Sequence, residues 1–277
     1  MVARCSLALL VAVGACDIPQ PAVICHNGNC VEPTAAGEDD TIPALRDSLA
    51  LVYKGKPAFD GVELDSFWRG EDSTCLYAHD LDAERLTPAL EPATELATYF
   101  ATPGDITYTG GRFEVSLELK THVAVSKTAR HTPEQRTLHA MCAWEMYKVI
   151  ADGAIANNRD VVVVFSSFEP LLLKELARTA PASTPVTYEY GAILGIPAPL
   201  DPQTHPLGDY TGVELSSVEI HDQWIHDAQW EALRSMDVDI VFWMFSATSE
   251  TFEAIEQYEP DKVVTSEARL MRRWLDR

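Results

Sequence analysis

Short apolar runs rich in valine, isoleucine and aromatic residues alternate along the chain with longer stretches typical of helices. The runs have the length and composition of buried strands. Predicted strands cover residues 22–25, 62–67, 76–78, 113–119, 161–165, 186–190, 213–220, 240–245 and 263–265. Predicted helices cover residues 42–54, 88–100, 132–153, 169–179, 221–235 and 248–258. This alternation of strand and helix predicts a parallel sheet.

The number of repeats favours one closed domain. About eight strand–helix units within roughly 250 residues are typical of a (β/α)8 barrel. Nine runs are strand-like, so one lies outside the barrel, and we assign that place to residues 213–220. The clearest helix start is Thr132, where Pro133 takes the first helical position and Gln135 completes a capping box. We therefore expect an α/β fold, with a single (β/α)8 TIM barrel over residues 22–277.

The N-terminal segment differs in kind from the rest of the chain. Residues 1–15 contain an early basic residue, an apolar stretch and small residues before Cys16, the pattern of a short signal peptide. The sequence V-G-A-C that ends at Cys16 is similar to a bacterial lipobox, although cleavage after Ala15 by an ordinary signal peptidase also fits. We expect lipidation of Cys16, followed by a short tether over residues 16–21. The expected location is the bacterial cell envelope, membrane-associated through the N-terminal lipid, or otherwise periplasmic or secreted.

Composition and charge limit the classes of partner that the protein can bind. A chain of 277 residues with 47% hydrophobic residues can bury one large core or two small ones. Its net charge of -21 leaves no basic stripe for a phosphate backbone, which argues against nucleic acid as a partner. After the leader, no stretch approaches the roughly 18 apolar residues that a membrane span requires. No protein partner is evident from the sequence.

Four cysteines remain after the leader and Cys16: Cys25, Cys30, Cys75 and Cys142. An even number in an exported chain favours disulfides, and four cysteines allow three connectivities. A Cys25–Cys30 bond would close a small loop and leave Cys75 to pair with Cys142. Zinc is the weaker alternative, because the sequence has no C-x-x-C pair.

Two carboxylates share one face of the second predicted strand. Side chains alternate along a strand, so Glu63 and Asp65 project to the same side. Without a counter-charge they would repel each other, and the pair is therefore typical of ligands for a hard divalent cation. A solvated strand face is the alternative interpretation.

Further polar residues stand at the ends of neighbouring predicted strands. His26 follows the first run, His79 follows the third, and Glu118 and Lys120 share a face at the end of the fourth. In a (β/α)8 barrel, catalytic groups lie at the C-terminal ends of the strands, so we expect these side chains to meet. We interpret four other histidines as surface or packing residues: His131, His139, His221 and His226.

This constellation resembles the glycerophosphodiester phosphodiesterase family. In that family the first strand ends in H-R-G, a P-E-N-T-like segment opens the following helix, and E-x-D, H-D and E-x-K follow on later strands. Residues 164–168 and 241–243 are also similar to its S-F segment and its late W-containing strand. The counterparts of the principal motifs are His26-Asn27-Gly28, Asp39-Asp40-Thr41, Glu63-Leu64-Asp65, His79-Asp80 and Glu118-Leu119-Lys120.

The resemblance implies metal-dependent cleavage of a glycerophosphodiester or a related alcohol phosphodiester, so the enzyme would be a phosphoric diester hydrolase. The implied metal is Mg2+ or Ca2+. The two histidines would divide nucleophilic or general base work from general acid work. The implied site has two catalytic histidines (His26, His79), three metal ligands (Glu63, Asp65, Glu118) and two phosphate contacts (Lys120, Asn27).

Three departures from the family pattern leave other functions open. Asn27 replaces the family's arginine, Asp39 stands where glutamate is usual, and residues 265–268 replace a terminal T-D-x-P. One alternative is an enzyme similar to the related sphingomyelinase D and phospholipase D barrels, which act on lipid headgroups. Another is an inactive barrel kept as a binding lipoprotein. The expected ligand is a small phosphodiester or a phospholipid.

Overall fold

The computed structural model describes residues 20–31, 39–79, 87–121, 131–194, 207–244 and 246–277. Residues 1–19, with the expected signal peptide, Cys16 and most of the tether, lie outside the described part. No helix in the described ranges is both long enough and apolar enough to cross a membrane.

The strands are β1 (Ala22–Cys25), β2 (Val52–Tyr53), β3 (Lys56–Pro57), β4 (Gly61–Arg69), β5 (Thr74–Tyr77), β6 (Thr87–Pro88), β7 (Phe113–Lys120), β8 (Val161–Ser167), β9 (Thr187–Ile193), β10 (Ser217–His221), β11 (Asp239–Trp243) and β12 (Lys262–Thr265). The helices are α1 (Ile42–Leu49), α2 (Leu90–Phe100), α3 (Pro133–Ala156), α4 (Pro170–Arg178), α5 (Asp227–Arg234), α6 (Ser249–Tyr258) and α7 (Ala268–Leu275).

Eight parallel strands close into a barrel. Their order is β1, β12, β11, β10, β9, β8, β7 and β4, and a pairing of β1 with β4 completes the ring. Helices α1 to α6 each lie between two barrel strands in chain order, and α7 follows the last strand. The prediction of a single (β/α)8 TIM barrel is therefore confirmed.

The strand outside the barrel is not the one that the sequence suggested. Residues 213–220 contribute β10, which pairs in parallel with β9 and β11, so placing them outside the barrel was wrong. The extra strand is β5, which pairs antiparallel with the distal half of β4. Few residues separate Arg69 from Thr74, whereas a parallel crossover needs a dozen or more, so β5 can only fold back as a hairpin.

The main core lies between the barrel and the helices, because alternate strand residues face outward. Val62, Leu64, Val115 and Leu117 are fully buried in this layer. The inward face carries a much smaller apolar cluster of Ile24, Val241 and Val264. The rest of the barrel interior is consequently available to polar side chains.

The expected disulfides and the expected capping box are both present, and the fold selects one of the three possible cysteine pairings. Cys25 bonds to Cys30, and Cys75 bonds to Cys142, which ties β5 to α3. Helix α3 begins with the predicted capping box: the Thr132 hydroxyl accepts from the Gln135 N–H, and the Gln135 side chain accepts from the Thr132 N–H.

A buried ion pair closes the end of the barrel where the strands begin. Arg272 of α7 bonds to the Asp60 carboxylate, and both side chains are almost completely buried. Asp60 also accepts from the backbone N–H of Val23 at 3.1 Å. Its other oxygen accepts from the N–H and hydroxyl of Thr109 at 2.9 and 2.8 Å. One carboxylate thus joins the starts of β1 and β4 to a loop and the last helix.

Candidate active site

Three carboxylates converge inside the barrel near its C-terminal mouth. Glu63 and Asp65 lie on β4 and Glu118 lies on β7, and the sheet register pairs Asp65 directly with Glu118. One oxygen from each of the three lies within 4.8 Å of the others. All three are at most 4% exposed. Buried carboxylate oxygens at this spacing suit a hard divalent cation, so the residues fit the metal that the resemblance implies.

The three carboxylates of this cluster carry more negative charge than the neighbouring Lys120 can balance. Burial, followed by the nearby charge of Glu118, raises the pKa of Glu63 well above its ordinary value. Burial is also the largest cause of the raised pKa of Asp65, with Glu118 and Glu63 adding to it. Proximity of like charges in a dry interior disfavours ionisation of all members together. A bound cation would relieve this repulsion.

Lys120 supplies one positive charge to the carboxylates. Its Nζ lies 2.6 Å from Oε1 of Glu118 and 3.5 Å from Oδ1 of Asp65. Burial alone would lower the pKa of Lys120, but the charges of Asp65, Glu118 and Glu63 raise it above the ordinary value. The side chain is therefore a permanent cation beside the cluster.

His26 follows β1 directly and opens a short 3-10 turn. Its Nδ1 lies 3.1 Å from the Ser266 hydroxyl, and its Nε2 lies 3.7 Å from Oε2 of Glu63. Burial, then the charges of Lys120 and His79, lower the pKa of His26 to about 3. The imidazole is consequently neutral at physiological pH, so one of its ring nitrogens carries no proton.

Asn27 and Gly28 shape the loop that carries His26. Both have left-handed backbone angles, with φ of 49° and 60°. A Cβ at Gly28 would lie 2.4 Å from the Tyr77 hydroxyl, so only glycine fits there. The Asn27 N–H donates to Glu63 Oε2 at 3.3 Å, which connects the loop to the carboxylate cluster. Its side-chain Oδ1 is buried without a hydrogen-bond partner among the described residues.

His79 lies two residues after β5 and is exposed. It stands on the appended hairpin, so its expected place at the end of a barrel strand was wrong. The hairpin nevertheless carries it to the mouth, since its charge is among the causes that lower the pKa of His26. Its backbone bonds to the buried carboxylate of Asp40. Asp80 falls outside the described residues.

Comparison with known proteins identifies solved structures that share this fold. No protein-family model and no curated protein matches the chain. A phosphodiesterase from Oleispira antarctica, solved with its product sn-glycerol-3-phosphate, is 15% identical with a TM-score of 0.61, covering 93% of this chain and 98% of that one. A glycerophosphodiester phosphodiesterase from Parabacteroides distasonis is 16% identical with a TM-score of 0.57, covering 93% and 97% respectively. The fold is that of the glycerophosphodiester phosphodiesterases.

The structure of a phospholipase C also matches. The calcium-dependent phosphoinositol-specific phospholipase C from a Pseudomonas species is 11% identical with a TM-score of 0.51, and 90% of each chain is covered. At these identities the likeness shows a common fold alone.

Within the glycerophosphodiester phosphodiesterase fold, most of the expected site residues come together. The three carboxylates and Lys120 lie on β4 and β7, next to His26 and Asn27 in the turn that follows β1. Asp39 accepts from the Asn29 amide at 2.9 Å, at the edge of the same loop. Lipidation of Cys16 stays a prediction, because that residue is outside the described part.

Sequence reasoning missed a group of inward-facing residues on β10 and β11. Glu219 is buried, and burial followed by the charges of Glu118 and Glu114 raises its pKa to about 8. The buried His221 packs edge-on against Trp243 with ring centroids 4.5 Å apart, and its Nδ1 lies 2.9 Å from Asp222. Alternation of Glu219 and His221 on one strand face was the available signal. The predicted boundary between a strand at 213–220 and a helix at 221–235 separates the two residues and hides this alternation.

Proposed function

We propose that the protein is a metal-dependent phosphodiesterase that cleaves a glycerophosphodiester or a related alcohol phosphodiester. The observation that carries this proposal is the buried cluster of Glu63, Asp65 and Glu118 beside His26 and Lys120. The solved phosphodiesterases with the same fold support it. Acidic and basic groups of these types at one barrel mouth are the parts that phosphodiester cleavage requires.

Glu63, Asp65 and Glu118 would hold Mg2+ or Ca2+. A bound cation supplies charge neutralisation and Lewis acidity at a phosphoryl oxygen. Lys120 adds a second positive charge. Its ammonium group contacts Glu118, and it can contact a phosphate oxygen instead once a cation balances the charge of the carboxylates. The mouth then presents positive charge to an anionic diester.

The two histidines take different roles in this proposal. His26 is neutral at physiological pH, so its Nε2 can act as the nucleophile or take a proton from the attacking hydroxyl. Ser266 contacts Nδ1 and thereby orients the ring. His79 is exposed at the mouth, where it can donate a proton to the departing alkoxide.

Asn27 would meet the phosphate in place of the family's arginine. A neutral amide has no fork of charged donors, so the phosphate loses one bidentate contact. We infer that binding relies more on the cation and Lys120 than in enzymes that have the arginine.

The test is a turnover assay of the purified protein on glycerophosphocholine, glycerophosphoethanolamine, lysophosphatidylcholine and sphingomyelin, with Mg2+, Ca2+ or EDTA. We expect EDTA to abolish turnover, and we expect Glu63→Gln to lose turnover as well. In His26→Ala the turnover rate should fall by roughly 100-fold or more. Glu114→Gln is the matched control, because Glu114 lies on the inner face of β7 but pairs with Lys262 at 2.7 Å, away from the cluster. EDTA-insensitive turnover that survives in both His26→Ala and His79→Ala would refute the mechanism.

A lipid headgroup substrate is the second candidate. The fold likeness to a phosphoinositol-specific phospholipase C supports it. Cleavage of lysophosphatidylcholine or sphingomyelin without cleavage of the water-soluble diesters would favour this function. Phosphorus NMR of the products would separate a cyclic phosphate from an open monoester.

We also propose that the chain is exported and anchored through a lipid on Cys16. The two disulfides support export, because such bonds persist in oxidising compartments. Metabolic labelling with a radioactive fatty acid should mark the wild-type protein and leave Cys16→Ala unlabelled. Equal labelling of both would exclude this anchor.

A further inference from the structure

Both candidate catalytic histidines lie on segments that the barrel itself does not hold. His26 begins a 3-10 turn with left-handed backbone angles, which no strand ladder supports. His79 follows β5, a short strand that belongs to an appended hairpin. The three carboxylates differ, since they lie within the long parallel ladder of β4 and β7. Contacts other than the barrel's strand ladder must therefore hold the two histidines in position.

A disulfide stands beside each of these two segments. Cys25 directly precedes His26, and its bond to Cys30 closes a loop with a sequence separation of 5 that contains the whole 3-10 turn. Cys75 lies on β5 and bonds to Cys142 in the middle of α3, with a sequence separation of 67. Each cross-link thus restrains one histidine-bearing segment.

A buried hydrogen bond joins the two segments to each other. The Tyr77 hydroxyl, at the end of β5, donates to the Asn27 carbonyl oxygen at 3.1 Å. The Asp40 N–H donates to the same oxygen at 3.3 Å, and the Asp40 carboxylate bonds to the His79 backbone. Tyr77 and Asn27 are both buried, so water does not replace this contact.

We propose that the Cys25–Cys30 and Cys75–Cys142 disulfides and Tyr77 form a histidine clamp, whose role is to hold His26 and His79 at the spacing that phosphodiester cleavage needs. The clamp residues are positioning residues: they act through the two imidazoles. This inference rests on the proposed function, and it adds that full activity requires an oxidised protein. Small displacements of reacting groups cost much rate, since a shift of about 1 Å can cost roughly 100-fold.

The decisive variant is Tyr77→Phe, which removes one hydroxyl and leaves the ring in the core. Its matched control is Tyr99→Phe, because the Tyr99 hydroxyl also donates to a backbone carbonyl at 3.1 Å, on Ile106. Cys25→Ser/Cys30→Ser and Cys75→Ser/Cys142→Ser remove the two cross-links in turn. Metal affinity is measured for each by calorimetry with Mg2+ and Ca2+, and turnover is measured on glycerophosphocholine.

We expect kcat to fall about tenfold or more in Tyr77→Phe and in each cysteine double variant that folds, with KM changed less than threefold. Metal affinity should fall much less than kcat, because the β4–β7 ladder holds the carboxylates and Asn27 contributes only one N–H to Glu63. Tyr99→Phe should keep the wild-type kcat. A fall in metal affinity equal to the fall in kcat would overturn the proposal, because it would indicate general loosening of the barrel.

A spectroscopic readout separates failure of the clamp from failure of the proposed function. Carbon–proton correlation spectra of histidine-labelled protein should show altered His26 and His79 imidazole signals in Tyr77→Phe, with unchanged signals from His139. This result supports the clamp even if no diester is turned over, an outcome that would refute the function alone. Unaltered His26 and His79 signals, or an unaltered kcat in an active Tyr77→Phe enzyme, would overturn the clamp. If a cysteine double variant does not fold, Tyr77→Phe decides the question.

Discussion

The buried Asp60–Arg272 pair at the base of the barrel allows a sharp prediction about stability. Asp60→Ala removes the carboxylate and leaves the Arg272 charge fully buried without its partner. It also removes the acceptor for the N–H groups of Val23 and Thr109. Arg272→Met is milder, because Asp60 keeps its three donors from Val23 and Thr109.

The magnitudes follow from these contacts. Loss of one partner of a buried pair costs about 3–5 kcal/mol. The Val23 N–H is buried, and leaving it without an acceptor costs about 1–3 kcal/mol more, whereas the exposed Thr109 can bond to water instead. Allowing for incomplete additivity, we expect Asp60→Ala to lower the free energy of unfolding by about 5 kcal/mol or more, and Arg272→Met by about 1–3 kcal/mol. The first value approaches the whole stability of many domains, which is about 5–15 kcal/mol.

The assay is urea denaturation followed by circular dichroism and tryptophan fluorescence at one pH and salt concentration. Arg234→Met is the control, because Arg234 pairs with Asp261 at the surface, where such pairs contribute about 1 kcal/mol or less. Asp60→Asn/Arg272→Met removes both charges together and should be more stable than Asp60→Ala. If Asp60→Ala destabilises no more than Arg234→Met, or if Arg272→Met proves the more harmful change, the reasoning about the buried charge is refuted.

Three further predictions concern metal, acid and the longer cross-link. Saturating Mg2+ or Ca2+ at 100 times its dissociation constant should stabilise the protein by about 2.7 kcal/mol, and scanning calorimetry should show no such gain in Glu63→Gln. Burial lowers the pKa of His139 to about 3, so the unfolded state takes up this proton first and stability falls as the pH drops from 6.5 towards 3. In His139→Gln the loss between pH 7 and pH 5 should be smaller by about 2 kcal/mol in urea titrations, and an equal loss would contradict this. Removing the Cys75–Cys142 bond, with its sequence separation of 67, should cost about 4 kcal/mol in the same titrations, and a cost below about 1 kcal/mol would refute the loop-entropy argument.

Much of the site could be predicted because its signals are local. Alternation along a strand places Glu63 with Asp65, and Glu118 with Lys120, whatever the partners of those strands are. The Thr132 capping box likewise depends only on residues within one helical turn. The number of strand and helix units was enough to predict the barrel class.

The direction and partner of each strand depend on contacts between residues far apart in the chain. The run at 76–78 has the composition of a barrel strand, but the short connection after Arg69 makes β5 an antiparallel hairpin strand. Pairing with β9 and β11 brings β10 into the barrel, and this places Glu219 and His221 on its inner face. Composition and periodicity do not indicate which strands pair with each other.

The chain's own pattern of residues was thus sufficient for the fold class, the presence of disulfides and the strand faces that bear the carboxylates, because these follow from local periodicity and cysteine number. Only the folded chain decided which cysteines pair, that Lys120 lies against the cluster, that burial keeps His26 unprotonated, and that Tyr77 joins the two histidine segments. Each of these depends on distance and burial in three dimensions. Charge interactions and desolvation act through space, so spacing along the chain could not predict them.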